Sequence, residues 1–199
     1  DTKIKKGVDL FNKNNSLISN VESKFNVEKE LLLSLMGIET NFGKYLGKMD
    51  ILSSLATLSY DKRRSEFFTN ELIIILQLID AGVVNSDILY GSWAGAFGNF
   101  QFMPSTINNY AIDYNNDDLI DLKSTEDSFA SAANYINKLG WEKNGPCFYK
   151  IKLKENIPVK YLNTSAKKIK NKKKFKYFKK YIVGQENIKV NEDLITGII

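Results

Sequence analysis

Val27-Glu-Lys-Glu-Leu-Leu-Leu-Ser-Leu-Met-Gly-Ile-Glu-Thr40 places apolar side chains at Val27, Leu31, Leu32, Leu35, Met36 and Ile38, the recurrence of a helix with one wide apolar face. Asn26 stands where an N-cap belongs, and Glu28 and Glu30 fall in the first turn, where the helix dipole favours negative charge. Glu39 is out of place in this pattern. It lies three residues after Met36 and four after Leu35, on the stripe that carries Leu31 and Leu35. A glutamate there either turns into solvent at the helix end, as most do, or is held in poor solvation, which disfavours its charged form and keeps a proton available to donate.

Outward from this helix, the periodicity predicts a helix over residues 8–24, one over 66–81 stopped by Gly82, and one over 125–139 stopped by Gly140. Ser124 and Asp127 have the spacing of a capping box. Pro104–Tyr110 opens a short helix with proline in its first turn. Strand signals are few and late: residues 148–153 alternate, and 181–183 is the candidate partner. The reading is a mainly α (α+β) chain. A glycine-rich stretch, Gly91-Ser-Trp-Ala-Gly-Ala-Phe-Gly-Asn-Phe-Gln-Phe-Met-Pro104, reads as a shaped loop; it lacks the Gly-Lys-Ser/Thr ending of a phosphate loop.

Composition narrows the chemistry. The 199 residues contain no histidine and one cysteine, Cys147, which excludes a Ser-His-Asp triad, a Cys-His dyad, a disulfide framework and an ordinary zinc site. An enzyme of this composition works with carboxylates, hydroxyls and amides, and Cys147 reads as a packed, inert residue. The longest apolar run, residues 72–76, is far shorter than the roughly 20 residues of a membrane span. The chain as given reads as soluble, without the apolar stretch of a signal peptide at its start, so such a peptide was removed or never existed. Residues 141–199 carry 15 lysines against 5 acids, a net +10, so an acidic body of net −5 precedes a basic tail.

Five motifs stand in order: Gly37-Ile-Glu-Thr-Asn-Phe-Gly43, Leu55-Ala-Thr-Leu-Ser-Tyr60, Arg63-Arg64, Gly98-Asn-Phe-Gln-Phe-Met-Pro-Ser105 and Asn134-Tyr-Ile-Asn-Lys-Leu-Gly-Trp141. From about Gly7 to Gly145 the chain resembles the membrane-bound lytic murein transglycosylase B family, of the lysozyme-like superfamily. The resemblance implies a lysozyme-like catalytic core over 1–145, including an EF-hand-like loop, and a small β-containing, Lys-rich part over 146–199. It implies Glu39 as catalytic residue, Gln101 and Ser92 in the active site, Tyr135 lining the cleft, and Arg63 and Arg64 near the peptide stem of a peptidoglycan substrate. The implied localisation is the periplasm or cell envelope, with peripheral or lipid-anchored membrane association through a removed N-terminus and a monomeric state. The family's later Arg-Tyr-Asn segment is not found before Ile199; either the chain is cut short or its cleft closes differently.

The residue inventory agrees with that chemistry. A glycosidase that uses water or a carboxylate nucleophile needs two acids flanking the bond. Only Glu39 qualifies here, since Asp50 and Asp61 sit in polar, turn-like surroundings. A lytic transglycosylase needs one acid, because the sugar's own 6-hydroxyl is the nucleophile. Trp93, Phe97, Phe100, Phe102 and Tyr135 could offer flat faces to sugars, and at least half of them are expected in the core.

Asp113-x-Asn115-x-Asp117-Asp-Leu119-Ile-Asp121 follows the EF-hand alternation of oxygen ligands but has Asp118 at the glycine position and Ser124 at position 12. On its own it reads as a solvated acidic loop. The resemblance implies a late carboxylate from the following helix, hence a structural calcium site of Asp113, Asn115, Asp117, the Leu119 carbonyl and Asp127, with no organic cofactor. The nine lysines of residues 167–181, interleaved with Phe175, Tyr177, Phe178 and Tyr181, read as a solvated face, and nucleic acid is not an expected partner. The competing reading is a lysozyme-like module that binds peptidoglycan without cutting it.

Overall fold

The helices follow the apolar periodicity, and three of them are closed by a residue in the left-handed region, Asn26, Gly82 and Gly140. The structure is a computed structural model that describes residues 2–145, 148–184, 188 and 190–199; Cys147 lies outside them. It divides into two units, Asp1–Asn144 and Gly145–Ile199.

In the first unit the element order is α1 (Thr2–Lys13), α2 (Asn15–Phe25), α3 (Lys29–Glu39), β1 (Met49–Asp50), α4 (Ile51–Tyr60), α5 (Ser65–Asp80), a 3-10 turn (Ser86–Ile88), β2 (Tyr90–Gly91), α6 (Pro104–Tyr110) and α7 (Thr125–Lys138). The single helix expected over 8–24 is two helices. Asn14 breaks it at φ −122° and ψ 28°, its side-chain amide donating back to the Leu10 carbonyl at 3.0 Å. Asn26 does not cap α3 from the front. At φ 55° it closes α2, its N–H donating to the Glu22 carbonyl, because asparagine tolerates the left-handed region that ends helices.

Helix α4 was not foreseen. Asp50 caps it, its carboxylate accepting the Ser53 N–H at 2.7 Å, and Ile51 and Leu55 are fully buried. α4 packs along α5, and α2 packs on α7. Residues 127–133 of α7 are all buried; apart from Phe129 and Asp127 they are serine and alanine, small enough for neighbouring helices to close in. Ile18, Leu32, Met36, Ile75, Phe97, Ile107 and Phe129 share this core, where burying such a side chain contributes about 1.5–3 kcal/mol.

The second unit contains β3 (Lys152–Leu153), β4 (Lys173–Lys174), α8 (Phe175–Lys179), β5 (Ile182–Val183) and β6 (Ile195–Thr196). β3 pairs antiparallel with β5, joining Lys152 to Val183, and β4 pairs with β6. Ile157, Tyr161, Phe178 and Ile198 form its small core. Part of the lysine charge is neutralised locally: Lys174 and Lys176 pair with Asp193, and Lys179 with Glu192.

Candidate active site

Glu39 is the last residue of α3 and is exposed. The register decides between the two readings of this residue in favour of the solvent-facing one. The buried row of this helix end is Leu32, Met36 and Thr40. Leu31 and Leu35, whose row Glu39 continues, are only half-buried, and Ile38 is 72% exposed. Glu39 therefore emerges at the rim of the core-facing surface, open to an incoming ligand.

Beyond Glu39 the backbone reverses through three consecutive left-handed residues, Asn41 (φ 50°), Phe42 (φ 61°) and Gly43 (φ 79°). Asparagine and glycine accept this conformation, whereas a phenylalanine there costs on the order of 1–2 kcal/mol. Packing holds it in place: the Phe42 ring seats on Gly37, where an added Cβ would lie 2.7 Å from Cζ, and reaches Gly7. Thr40 clamps the same turn. Its Oγ1 accepts the Gly43 N–H at 3.0 Å and donates to the Asn99 carbonyl at 2.9 Å.

Asn99 belongs to the glycine loop, against which the segment after Glu39 packs, Met49 of β1 pairing with Gly91 of β2. Besides the Thr40 bond, Gln101 Nε2 donates to the Leu46 carbonyl at 3.2 Å, and Gly47 approaches Gly91 so closely that a Cβ would lie 2.0 Å from its carbonyl oxygen. These contacts bring the segment that follows Glu39 against the loop that carries Ser92 and Gln101. Ser92 Oγ accepts the Ala96 N–H at 3.0 Å and keeps its own proton to donate. Gln101 sits at φ 52°; its Nε2 also donates to the Gly98 carbonyl, which leaves the amide oxygen to accept.

The aromatics divide. Phe97, Phe100 and Phe102 are buried, while Trp93 is 68% exposed. Tyr135 is half-buried between Phe102 and Tyr110, with ring centroids 5.6 Å and 4.9 Å away. Arg63 pairs with Asp61 at 3.0 Å on the surface, and the Arg64 guanidinium lies over Phe67 at 4.3 Å. These contacts belong to the α4–α5 corner and do not themselves tie the arginines to the glycine loop.

The acidic loop folds around its own amides. Asp113 accepts from the N–H groups of Asn116 and Asp118, and Asp127 accepts from Tyr114 at 2.8 Å and Asp121 at 2.9 Å, so it ties the two ends of the loop together. The Ser124 side chain caps α7 by accepting the Asp127 N–H, but Asp127 does not return the bond of a capping box. Fully buried, Asp127 has its pKa raised, first by desolvation, against the lowering effect of those amide bonds, with the Asp113 charge adding to the rise. The donors are all oxygen, which suits a hard cation such as calcium. Among the described residues no three acidic, histidine or cysteine side chains gather closely enough to hold a metal ion by themselves. The loop does brace the site: Asn99 donates its backbone N–H to the Leu122 carbonyl at 2.8 Å, and Gly98 lies flush on Leu122.

Thr40, Phe42 and Asn99 were not foreseen as site residues. The signal available for them was Asn41-Phe-Gly43 directly after the helix, a left-handed sequence with one costly member.

Residues 1–194 match the family described as transglycosylase SLT domain. Membrane-bound lytic murein transglycosylase B of Escherichia coli (strain K12) is 36% identical over 141 residues, covering 70% of this chain and 39% of that protein. The chain thus spans about two fifths of that curated relative. SltB3 from Pseudomonas aeruginosa, solved in complex with NAG-NAM-pentapeptide, superposes with a TM-score of 0.77 at 28% identity, covering 90% of this chain and 47% of that one. The Escherichia coli lytic transglycosylase SLT35 in complex with calcium gives a TM-score of 0.75 at 30% identity, over 89% of this chain and 55% of that one. The fold is that of these lysozyme-like lytic transglycosylases, and by the match along nearly its whole length the chain belongs to the transglycosylase SLT domain family.

Proposed function

We propose that the chain is a peptidoglycan lytic transglycosylase of the cell envelope, cleaving the MurNAc-GlcNAc β-1,4 bond with Glu39 as sole general acid and base. The observation that carries this reading is one open carboxylate at the end of α3, fastened through Thr40, Leu46 and Gly47 to a glycine loop bearing Ser92 and Gln101. Glu39 protonates the glycosidic oxygen as the bond to the anomeric carbon breaks. The 6-hydroxyl of the same sugar then adds to that carbon, its proton passes to the Glu39 carboxylate, and a 1,6-anhydro ring closes without water. Because the acid is exposed in the free chain, the bound glycan supplies its desolvation. The Gln101 amide oxygen offers its negative end to the positive charge that develops on the ring, and the Ser92 hydroxyl, with a proton to donate, can bond a substrate oxygen beside it. Tyr135 lines the cleft, and Arg63 and Arg64 are cationic partners for the carboxylates of the peptide stem.

The loop from Asp113 to Asp127 is proposed as a structural calcium site, held by Asp113, Asn115, Asp117, the Leu119 carbonyl and Asp127. Bound there, the ion would supply the positive charge that buried Asp127 otherwise faces without, and would stiffen the loop behind Asn99.

The direct test incubates the chain and its Glu39→Gln variant with purified peptidoglycan and follows both soluble release and co-sedimentation. Release by the wild type, with binding but no release by the variant, is expected. Equal binding by both with no release from either would make this chain a glycan-binding module.

A further inference from the structure

Left-handed backbone follows directly on the helix that Glu39 ends, at Asn41, Phe42 and Gly43. Eight non-glycine residues have positive φ among the described residues. Six are asparagine or aspartate, types that tolerate it; the exceptions are Gln101 and Phe42. Gln101 is already placed in the site. Phe42, two residues after Thr40, is an aromatic in a conformation that its own Cβ opposes.

We propose that Phe42 and Thr40 are positioning residues for Glu39, together forming a strained clasp that fixes the direction in which the last turn of α3 presents its carboxylate. The inference rests on the assignment of Glu39 above and deepens it. Two anchors maintain the clasp, and they meet at the Met36 carbonyl, which accepts from Thr40 Oγ1 at 3.2 Å as well as from the Phe42 N–H. On one side the Phe42 ring lies on Gly37, the α3 residue two before Glu39, at a distance that leaves no room for a Cβ, and the Phe42 N–H donates to the Met36 carbonyl at 3.2 Å. On the other side Thr40, 1% exposed, bridges the Gly43 N–H and the Asn99 carbonyl through a single oxygen. The Tyr45 N–H then closes on the Thr40 carbonyl at 2.9 Å. Glu39 lies between the two anchors, with Gly37 and Met36 before it and Thr40 after it. Without the clasp, Glu39 is an exposed side chain on a fraying helix end. With it, the Cα–Cβ direction is set by buried groups on both sides while the carboxyl remains open to the glycan. Neither Phe42 nor Thr40 contacts the reacting atoms in this scheme; both act through Glu39.

The test is steady-state kinetics on a soluble NAG-NAM oligomer carrying peptide stems, at a temperature where circular dichroism shows every variant folded. Thr40→Val removes the hydroxyl at equal size, Thr40→Ser keeps it, Phe42→Ala removes the ring, and Glu39→Gln is the reference. The expected result is a kcat about ten- to a hundredfold lower for Thr40→Val and Phe42→Ala, since misplacing a catalytic group by about 1 Å costs that much. KM is expected to stay within about threefold, with Thr40→Ser restoring kcat to a similar margin, the pattern of a group that acts only in the transition state. Wild-type kcat in Thr40→Val and Phe42→Ala beside a silent Glu39→Gln overturns the clasp and leaves the Glu39 assignment standing. So does activity lost only in proportion to the unfolded fraction. An active Glu39→Gln overturns both.

Discussion

Asn99 Nδ2 lies 3.0 Å from the Ser128 hydroxyl and 3.0 Å from the Lys123 carbonyl, so one side chain of the glycine loop is locked to the start of α7 and to the end of the acidic loop. Asn99 is 4% exposed, and its backbone carbonyl is the one that Thr40 holds. Replacing it leaves buried oxygens without a donor. Asn99→Ala is expected to lower unfolding free energy by about 1–3 kcal/mol, measured by urea denaturation. Asn99→Asp is expected to be worse than alanine, because a carboxylate would then face two carbonyls.

Gly47 and Gly91 give a second stability prediction. Gly47 has φ 89°, and a Cβ there would lie 2.0 Å from the Gly91 carbonyl oxygen. Backbone cannot move aside as a flexible side chain can, and alanine also resists this φ. Gly47→Ala should destabilise by more than about 1 kcal/mol and displace Ser92. The same substitution at Gly82, which also has positive φ but nothing within 4 Å, should cost only the backbone term. A smaller loss at Gly47 than at Gly82 in parallel thermal melts would contradict the close approach.

Acid should loosen the corner where α2 meets α3. Burial alone would raise the pKa of Glu22, but its bonds to Lys143 and Lys29 outweigh that and lower it. Glu28 behaves alike: desolvation is opposed by the Asn144 N–H and the Trp141 indole, and the net shift is downward. Lowered folded-state values mean that both carboxylates stabilise the fold above their unfolded pKa and lose that contribution as pH falls through the folded one. Stability should therefore decline from about pH 4.5 downward. In Glu22→Gln the decline should be shallower, with Trp141 fluorescence reporting release of the indole from Glu28.

Calcium should raise the melting temperature if the acidic loop binds it. A site occupied only in the folded state stabilises by about 2.7 kcal/mol at a hundredfold excess over Kd. Excess chelator should return the melting temperature to the metal-free value, and Asp127→Asn should abolish the response. A melting temperature indifferent to calcium would remove the ion from the account of this loop.

Much of this arrangement was legible in the sequence because helix periodicity and glycine stops are local signals. α5, α6 and α7 begin and end within a residue or two of the expected positions, whereas of the pairing expected between residues 148–153 and 181–183 only Lys152–Leu153 with Ile182–Val183 is realised, as β3 and β5. The break at Asn14 was not legible, since a polar residue inside an amphipathic pattern carries no mark of its backbone angle. α4 escaped because Ile51-Leu-Ser-Ser-Leu-Ala is short and serine-rich, and only the Asp50 cap announces it. Between exposure and burial of Glu39 the sequence could not decide, for a geometric reason. A stripe inferred from Leu31 and Leu35 is about 100° from the row that is buried, and only the packed structure shows which of the two faces the core. The clasp lay beyond reach because it joins Thr40 to a carbonyl 59 residues away.

The decisive measurement is mass spectrometry of the glycan ends that this chain releases from purified peptidoglycan. Glu39 acting alone, with the sugar's 6-hydroxyl as nucleophile, yields 1,6-anhydro ends from the wild type and nothing from Glu39→Gln. Reducing ends heavier by one water would mean that a water molecule had been activated by a second group, and the single-carboxylate mechanism would be wrong.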